Sequence, residues 1–199
     1  MMQNLQFPLQ FKFKIATLSN DFVATDAGGT TLAYVRQKLL KFIDEINVYS
    51  NETRTEELYR INASKWIDFN TTYRFTNAQG QYIGCVARRG WASLWKAKYE
   101  VFDENDQADF VIQEENGWVK VLDGLMSEIP VVNIFTGYLF NPSYLVTRTD
   151  GTPIARLKKE ASFFGRNFSV TALNMFQSGE ETRIVLSLMM MILLERRRG

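Results

Sequence analysis

Ile184-Val185-Leu186-Ser187-Leu188-Met189-Met190-Met191-Ile192-Leu193-Leu194 is apolar around its whole circumference. A helix of that kind has no solvent face and must be buried on every side. Helix signals flank it. Ser178-Gly179-Glu180-Glu181 has the spacing of a capping box, in which the Ser178 side chain accepts from the Glu181 amide and Glu181 reaches back. The acids at this start and Arg196-Arg197-Arg198 at the far end both suit the helix dipole. A bilayer-spanning helix needs about 20 apolar residues. This run of 11 is too short to span unaided. At ~1.5 Å per residue it covers roughly 16 Å, close to the ~17 Å of a five-residue strand. The expected place is therefore the inside of a small β-barrel, where unbranched Met189–Met191 can fill irregular space.

The barrel is written in a repeat. Phe22-Val23-Ala24-Thr25 leads through Asp26–Gly29 to Leu32-Ala33-Tyr34-Val35. Tyr73-Arg74-Phe75-Thr76 leads through Asn77–Gly80 to Ile83-Gly84-Cys85-Val86. Tyr144-Leu145-Val146-Thr147 leads through Arg148–Gly151 to Ile154-Ala155-Arg156-Leu157. A looser copy starts at Tyr99 and turns through Asp103–Asp106. Each copy has β-branched and aromatic residues on both sides of an Asp/Asn/Gly turn, which is a hairpin signal. The copies are unevenly spaced, so one closed sheet fits better than a solenoid. Ala33, Gly84 and Ala155 hold the same small position and share strand faces with Val35, Val86 and Leu157. This face is expected to point inward, because a helix in the lumen needs small residues opposite it. The alternative is a small residue on the outer wall.

Further strands are expected at Leu40–Tyr49, Glu57–Phe69, Phe110–Glu114 and Phe168–Phe176. Trp118, Val121, Leu122 and Leu125 share one helical face and suggest a short helix over Trp118–Met126. Pro130 ends any helix there, and Val131–Phe140 reads as extended.

Composition removes several chemistries. The chain has no histidine and one cysteine, Cys85, so His-based nucleophile pairs and a Cys/His zinc site are excluded. Cys85, within an apolar strand, reads as a small wall residue. Acid pairs such as Asp103 with Asp106, or Glu114 with Glu115, could support acid–base chemistry, but in turns such acids are ordinarily solvated. A net charge of +1 argues against nonspecific nucleic-acid binding. Met1–Phe13 alternates polar and apolar residues with no apolar core of a signal peptide, so a cytoplasmic location is expected.

Tyr144-Leu145-Val146-Thr147, Gly151 and Ile154-Ala155-Arg156-Leu157-Lys158, together with Arg88-Arg89-Gly90-Trp91-Ala92-Ser93-Leu94-Trp95, resemble the LURP-one-related family. That family is similar in fold to phospholipid scramblases and to the tubby C-terminal domain. The resemblance runs from about Phe22 to Leu194. It implies a mainly β fold: a closed antiparallel barrel of about twelve strands around a central hydrophobic C-terminal helix, here residues 179–197 of a single domain spanning 1–199. It also implies lipid chemistry, since tubby-type domains hold phosphoinositide head groups on surface basic residues. The cysteine cluster and Pro-rich region of scramblases have no counterpart, and no EF-hand-like series of acids occurs. The resemblance carries no catalytic residue, and no enzyme activity, cofactor or metal is expected.

Arg36, Lys38, Arg156 and Lys158 are the candidate anion-binding residues. On the face assignment above all four point outward, where cations on neighbouring strands can gather a phosphorylated head group. The competing reading is charge for solubility and edge protection. Arg196–Arg198 could touch phospholipid, and Trp91, Trp95 and Trp118 could stack on a ligand or simply pack. The expected partner is an anionic phospholipid or membrane surface, contacted peripherally. The alternative is a protein-interaction or scaffold domain with no small ligand.

Overall fold

In the computed structural model of the chain, the described residues are 4–14, 20–38, 45–63, 71–89, 98–115, 143–160 and 167–198, the side chains of 38 and 195–198 excepted. Twelve strands form one closed antiparallel barrel. They are β1 (Leu9–Phe13), β2 (Phe22–Thr25), β3 (Thr31–Lys38), β4 (Glu45–Tyr49), β5 (Glu57–Ala63) and β6 (Thr72–Asn77). The second half is β7 (Tyr82–Arg89), β8 (Lys98–Phe102), β9 (Ala108–Glu114), β10 (Ser143–Arg148), β11 (Pro153–Glu160) and β12 (Asn167–Ala172). Each strand pairs with its neighbour in sequence, and β1 closes on β12 through Leu9↔Val170 and Phe11↔Phe168. Helix α1 (Glu180–Arg198) follows β12.

The helix fills the barrel. Ile184 through Leu193 are buried, and Leu186, Leu188, Met189, Met190 and Leu193 have no exposed surface at all. They share one hydrophobic cluster with the inward residues of every strand except β7's Gly84, among them Phe11, Phe22, Ile61, Phe75, Val101, Ile112 and Val170. Ser187 is satisfied within the helix, its hydroxyl donating to the Arg183 carbonyl at 2.8 Å. Ala33, Val35, Val86, Ala155 and Leu157 are all fully buried on the inner face, as expected of the small-residue face. The helix comes closest to the wall at β7 and β8. That side carries Gly84, where an added Cβ would stand 2.4 Å from the Phe102 carbonyl oxygen and 2.9 Å from Arg183 Cδ.

The repeat has a structural meaning beyond the hairpin. Its turns share one hydrogen-bond pattern: Asp26 N–H donates to the Thr30 carbonyl, Asn77 to Gln81, Asp103 to Gln107 and Arg148 to Thr152. A positive-φ residue closes each turn, Gly29, Gly80 and Gly151 in three copies and Asp106 in the looser one. After each turn the register shifts by one residue, so that Leu32, Ile83, Asp109 and Ile154 are extra residues with no cross-strand partner. Leu58 does the same after the β4–β5 turn. Such a bulge sets two consecutive residues against one on the partner strand. Here it turns both Leu32 and Ala33, or Ile154 and Ala155, toward the interior near the start of the helix.

Several expectations shift at their edges. The strands expected over Leu40–Tyr49 and Glu57–Phe69 appear as β4 and β5, with residues 40–44 and 64–69 outside the described residues, and the strand expected over Phe168–Phe176 stops at Ala172. The helix cap is also different. Glu180, not Glu181, reaches back, accepting from the Gln177 amide at 2.6 Å. Glu181 instead accepts from the Asn4 and Leu5 amides at 2.8 and 2.9 Å, tying the N-terminal segment to the helix. A carboxylate with two backbone donors from another segment has no reason to serve its own helix end. The helix expected at Trp118–Met126, the extended stretch Val131–Phe140, and Trp91, Trp95 and Trp118 lie outside the described residues.

Candidate functional site

The outer wall was the expected place for a site. Arg36 and Lys38 sit on β3, Arg156 and Lys158 on β11. β2, β1 and β12 separate these strands. At about 4.8 Å per strand the two pairs stand roughly 19 Å apart around the wall. The wall thus does not gather all four into one patch. Arg156 is engaged with Glu115, its Nε and Nη2 at 3.1 and 2.9 Å from one carboxylate oxygen. Lys158 faces Glu160 at 3.9 Å. The Lys38 side chain lies outside the described residues. Arg36 has no side-chain hydrogen bond or ion pair among the described residues.

Two cations that sequence reasoning passed over lie near Arg36. Lys12 pairs across β1–β2 with Val23, and Val23 pairs across β2–β3 with Tyr34, two residues from Arg36 on the same face. Lys14 follows on the same side and places its ammonium 5.8 Å from the centre of the Tyr34 ring. Lys14 also pairs with Glu52. The Tyr34 hydroxyl donates to Asp21 Oδ2 at 2.5 Å. Burial, and then that bond to Asp21, push the Tyr34 hydroxyl far above its ordinary range. It stays protonated and anchors the middle of the patch. The signal that could have located Lys12 and Lys14 is the alternation of Leu9–Phe13, which puts both on the solvent face once β1 is known to lie beside β2.

A second feature lies at the turn end, where α1 begins. A cleft of about 620 Å³ opens between the β4–β5 and β6–β7 turns and the first turn of the helix. Its lining includes Glu56, Glu57, Leu58, Gln79, Tyr82, Ile83, Glu104 and Arg183. Arg183 is buried, with Nε 2.7 Å from Asp109 Oδ2 and Nη1 2.9 Å from Glu104 Oε2. Beside it Arg148 forms a two-pronged pair with Glu180 at 2.9 and 2.7 Å. Burial raises Asp109 against the pull of Arg183, and the net shift is upward. Burial also opposes ionisation of Glu180, but Arg148 and the Gln177 amide outweigh it and hold that carboxyl below its ordinary range. These pairs seat the helix in the barrel mouth.

The remaining candidates have ordinary roles. Cys85 is buried, and burial pushes its thiol up, away from the thiolate a nucleophile needs. Asp103 caps its own turn, accepting from the Asn105 and Gln107 amides at 2.9 and 2.8 Å. Asp106 accepts from the Tyr82 hydroxyl at 2.6 Å. Glu115 serves Arg156. No helix among the described residues is long and apolar enough to cross a membrane.

The LURP-one-related family model matches residues 30–192, which includes every strand from the middle of the first hairpin onward and the apolar run of the helix up to Ile192. The chain belongs to the LURP-one-related family. Among solved structures, that of a protein from Arabidopsis thaliana is similar over 97% of this chain and 93% of its own, with a TM-score of 0.50 and 16% identity. At that identity the likeness concerns the fold. No curated protein matches the chain. In this LURP-one-related chain the helix fills the barrel, so among the described residues the outer wall and the mouths are the surfaces open to a ligand.

Proposed function

We propose that this LURP-one-related chain is a noncatalytic binding module that holds an anionic phospholipid head group against its outer wall, around Lys12, Lys14 and Arg36. The observation that carries the reading is an arginine, Arg36, with no anion of its own among the described residues and two lysines on the same face across β2. Three strands span about 10 Å, which suits one phosphorylated head group. Lys14 and Glu52 form an exposed pair, and exposed pairs are weak enough for a phosphate to displace. Lys38 is the last residue of the same strand. The reading places the protein in the cytoplasm, peripheral to a membrane.

Cosedimentation with phosphatidylcholine vesicles containing phosphatidylserine or a phosphoinositide tests it. Binding is expected at low salt, falling as salt rises, and absent with pure phosphatidylcholine. Arg36→Glu combined with Lys12→Glu should abolish it, whereas Arg156→Glu should leave most of it. A wild-type chain that stays in the supernatant at low salt ends the reading. The rival, a protein-interaction domain without a small ligand, draws on Met175, 86% exposed beside a cleft of about 430 Å³. It predicts a partner or dimer that Met175→Glu disrupts.

A further inference from the structure

We infer that residues 4–8 form a releasable strap over the start of α1, opening as one unit while the barrel stays closed. β1 lies between β2 and β12, so the chain leading into it crosses the barrel mouth between the β2–β3 turn and the β12–α1 connection. It is fastened on both sides. The Gln6 carbonyl accepts from the Ala27 amide in the β2–β3 turn at 2.9 Å. Toward α1, the Phe7 ring stacks on Phe176 with centres 5.1 Å apart. At the start of the strap Asn4 has a φ of 58°, a conformation in which successive N–H groups can face one anion. The Glu181 carboxylate takes the Asn4 and Leu5 amides, one on each oxygen, at 2.8 and 2.9 Å.

These fastenings differ in kind from those of β1. That strand is laddered to a neighbour on each side, and Leu9 and Phe11 have no exposed surface. The strap has no ladder. Asn4, Gln6 and Pro8 are exposed, and Leu5 and Phe7 are only half-buried. A segment held by exposed hydrogen bonds and little apolar burial opens locally, well below the free energy of global unfolding. The opening ends at Leu9, where pairing with Val170 begins. A short segment fastened at both ends loosens as a whole when either fastening goes. Release uncovers Phe176 and opens the cleft of about 430 Å³ that Asn4, Phe176 and Glu181 line beside the exposed Met175.

Native-state amide hydrogen exchange, followed residue by residue by NMR, tests this on the intact chain. In the parent protein the Leu5 and Ala27 amides should share one level of protection, roughly tenfold or more below that of the β1–β12 ladder. Glu181→Gln and Phe7→Ala should each speed exchange at both amides by roughly tenfold, although the Ala27 amide is bonded to neither side chain. The Asp26 amide, which donates to the Thr30 carbonyl in the same turn, should not change. Ladder amides at parent levels would verify that each variant folds. Combining Glu181→Gln with Phe7→Ala should also raise the fluorescence of an added apolar dye, and Phe176→Ser on top should cancel the rise. Ladder-like protection of Leu5 and Ala27 in the parent protein needs no variant and would overturn the inference. So would acceleration confined to the amide beside each substitution, acceleration spread over the whole barrel, or unchanged dye fluorescence in the double variant. None of these outcomes bears on the lipid reading.

Discussion

The β8–β9 hairpin and the β10–β11 hairpin share a backbone and differ in one side chain that matters. Both turn through the same pair of hydrogen bonds, and both place an extra residue just after the turn. In β11 that residue is Ile154, fully buried among apolar neighbours. In β9 it is Asp109, which grips Arg183 in the first turn of the helix. One hairpin plugs the barrel mouth and the other clasps the helix inside it. Two strands from the clasp, β7 carries Gly84 where the other copies carry Ala33 and Ala155, because the Phe102 carbonyl and the Arg183 side chain lie against it. A bulge position thus supplies geometry, and the residue placed there decides between packing and ion pairing.

The largest effect should come from Gly84→Val. The side chain would meet the Phe102 carbonyl and Arg183 at a φ of +134°, and a loss of roughly 3 kcal/mol or more is expected in urea unfolding. Ala155→Gly, at the equivalent place in the β10–β11 hairpin, should cost only about 1 kcal/mol. Equal costs at the two positions would end the comparison.

Next in size, Arg183→Met should cost about 2 kcal/mol, because it leaves Asp109 without its cation in a half-buried place. Adding Asp109→Leu, which makes this copy resemble the others, should return stability to within about 1 kcal/mol of the parent. A double variant as unstable as Arg183→Met would show that the clasp is needed and not merely tolerated.

The pH response separates the two ion pairs. Glu180 has a lowered folded pKa, so its contribution is present above its ordinary value of 4.5 and is lost as pH falls through the folded value. Asp109 has a raised folded pKa, so its protonation favours the folded state as pH falls and partly offsets that loss. Urea midpoints between pH 6 and pH 3 should therefore decline more steeply in Asp109→Asn and less steeply in Arg148→Gln. The opposite ordering would mean that the mouth pairs do not govern acid stability.

The smallest effect is expected at the turn itself. Asp106 has φ 59°, the position that Gly29, Gly80 and Gly151 hold in the other copies. Asp106→Gly relieves that strain but gives up the bond from Tyr82, so thermal unfolding should show a change within about 1 kcal/mol.

The barrel was readable because its signals are local. Turn residues fix hairpins, alternation fixes faces, and a run without a polar side fixes burial, all within about ten neighbouring residues. The Ala33, Gly84 and Ala155 position pointed inward as read, yet nothing near it in sequence announced that Leu32, Ile83 and Ile154 are bulge residues. The capping box at Ser178 had the right spacing, but Glu181 was taken by amides near the N-terminus. The candidate site was less legible. Arg36 was found, whereas its companions Lys12 and Lys14 belong to a strand reached only through barrel closure, and Arg156 and Lys158 proved to be on the far side of that closure. The turn-end cleft joins residues from three hairpins and the helix, and none of the intervals between them carries a pattern.

From its residue order alone, then, the chain determines a set of hairpins and one helix that cannot tolerate water. The pairing of β1 with β12 and the depth of the helix decide which charges meet. Ion pairs and clefts depend on distances across the barrel, and those distances exist only after apolar burial has closed the sheet around the helix.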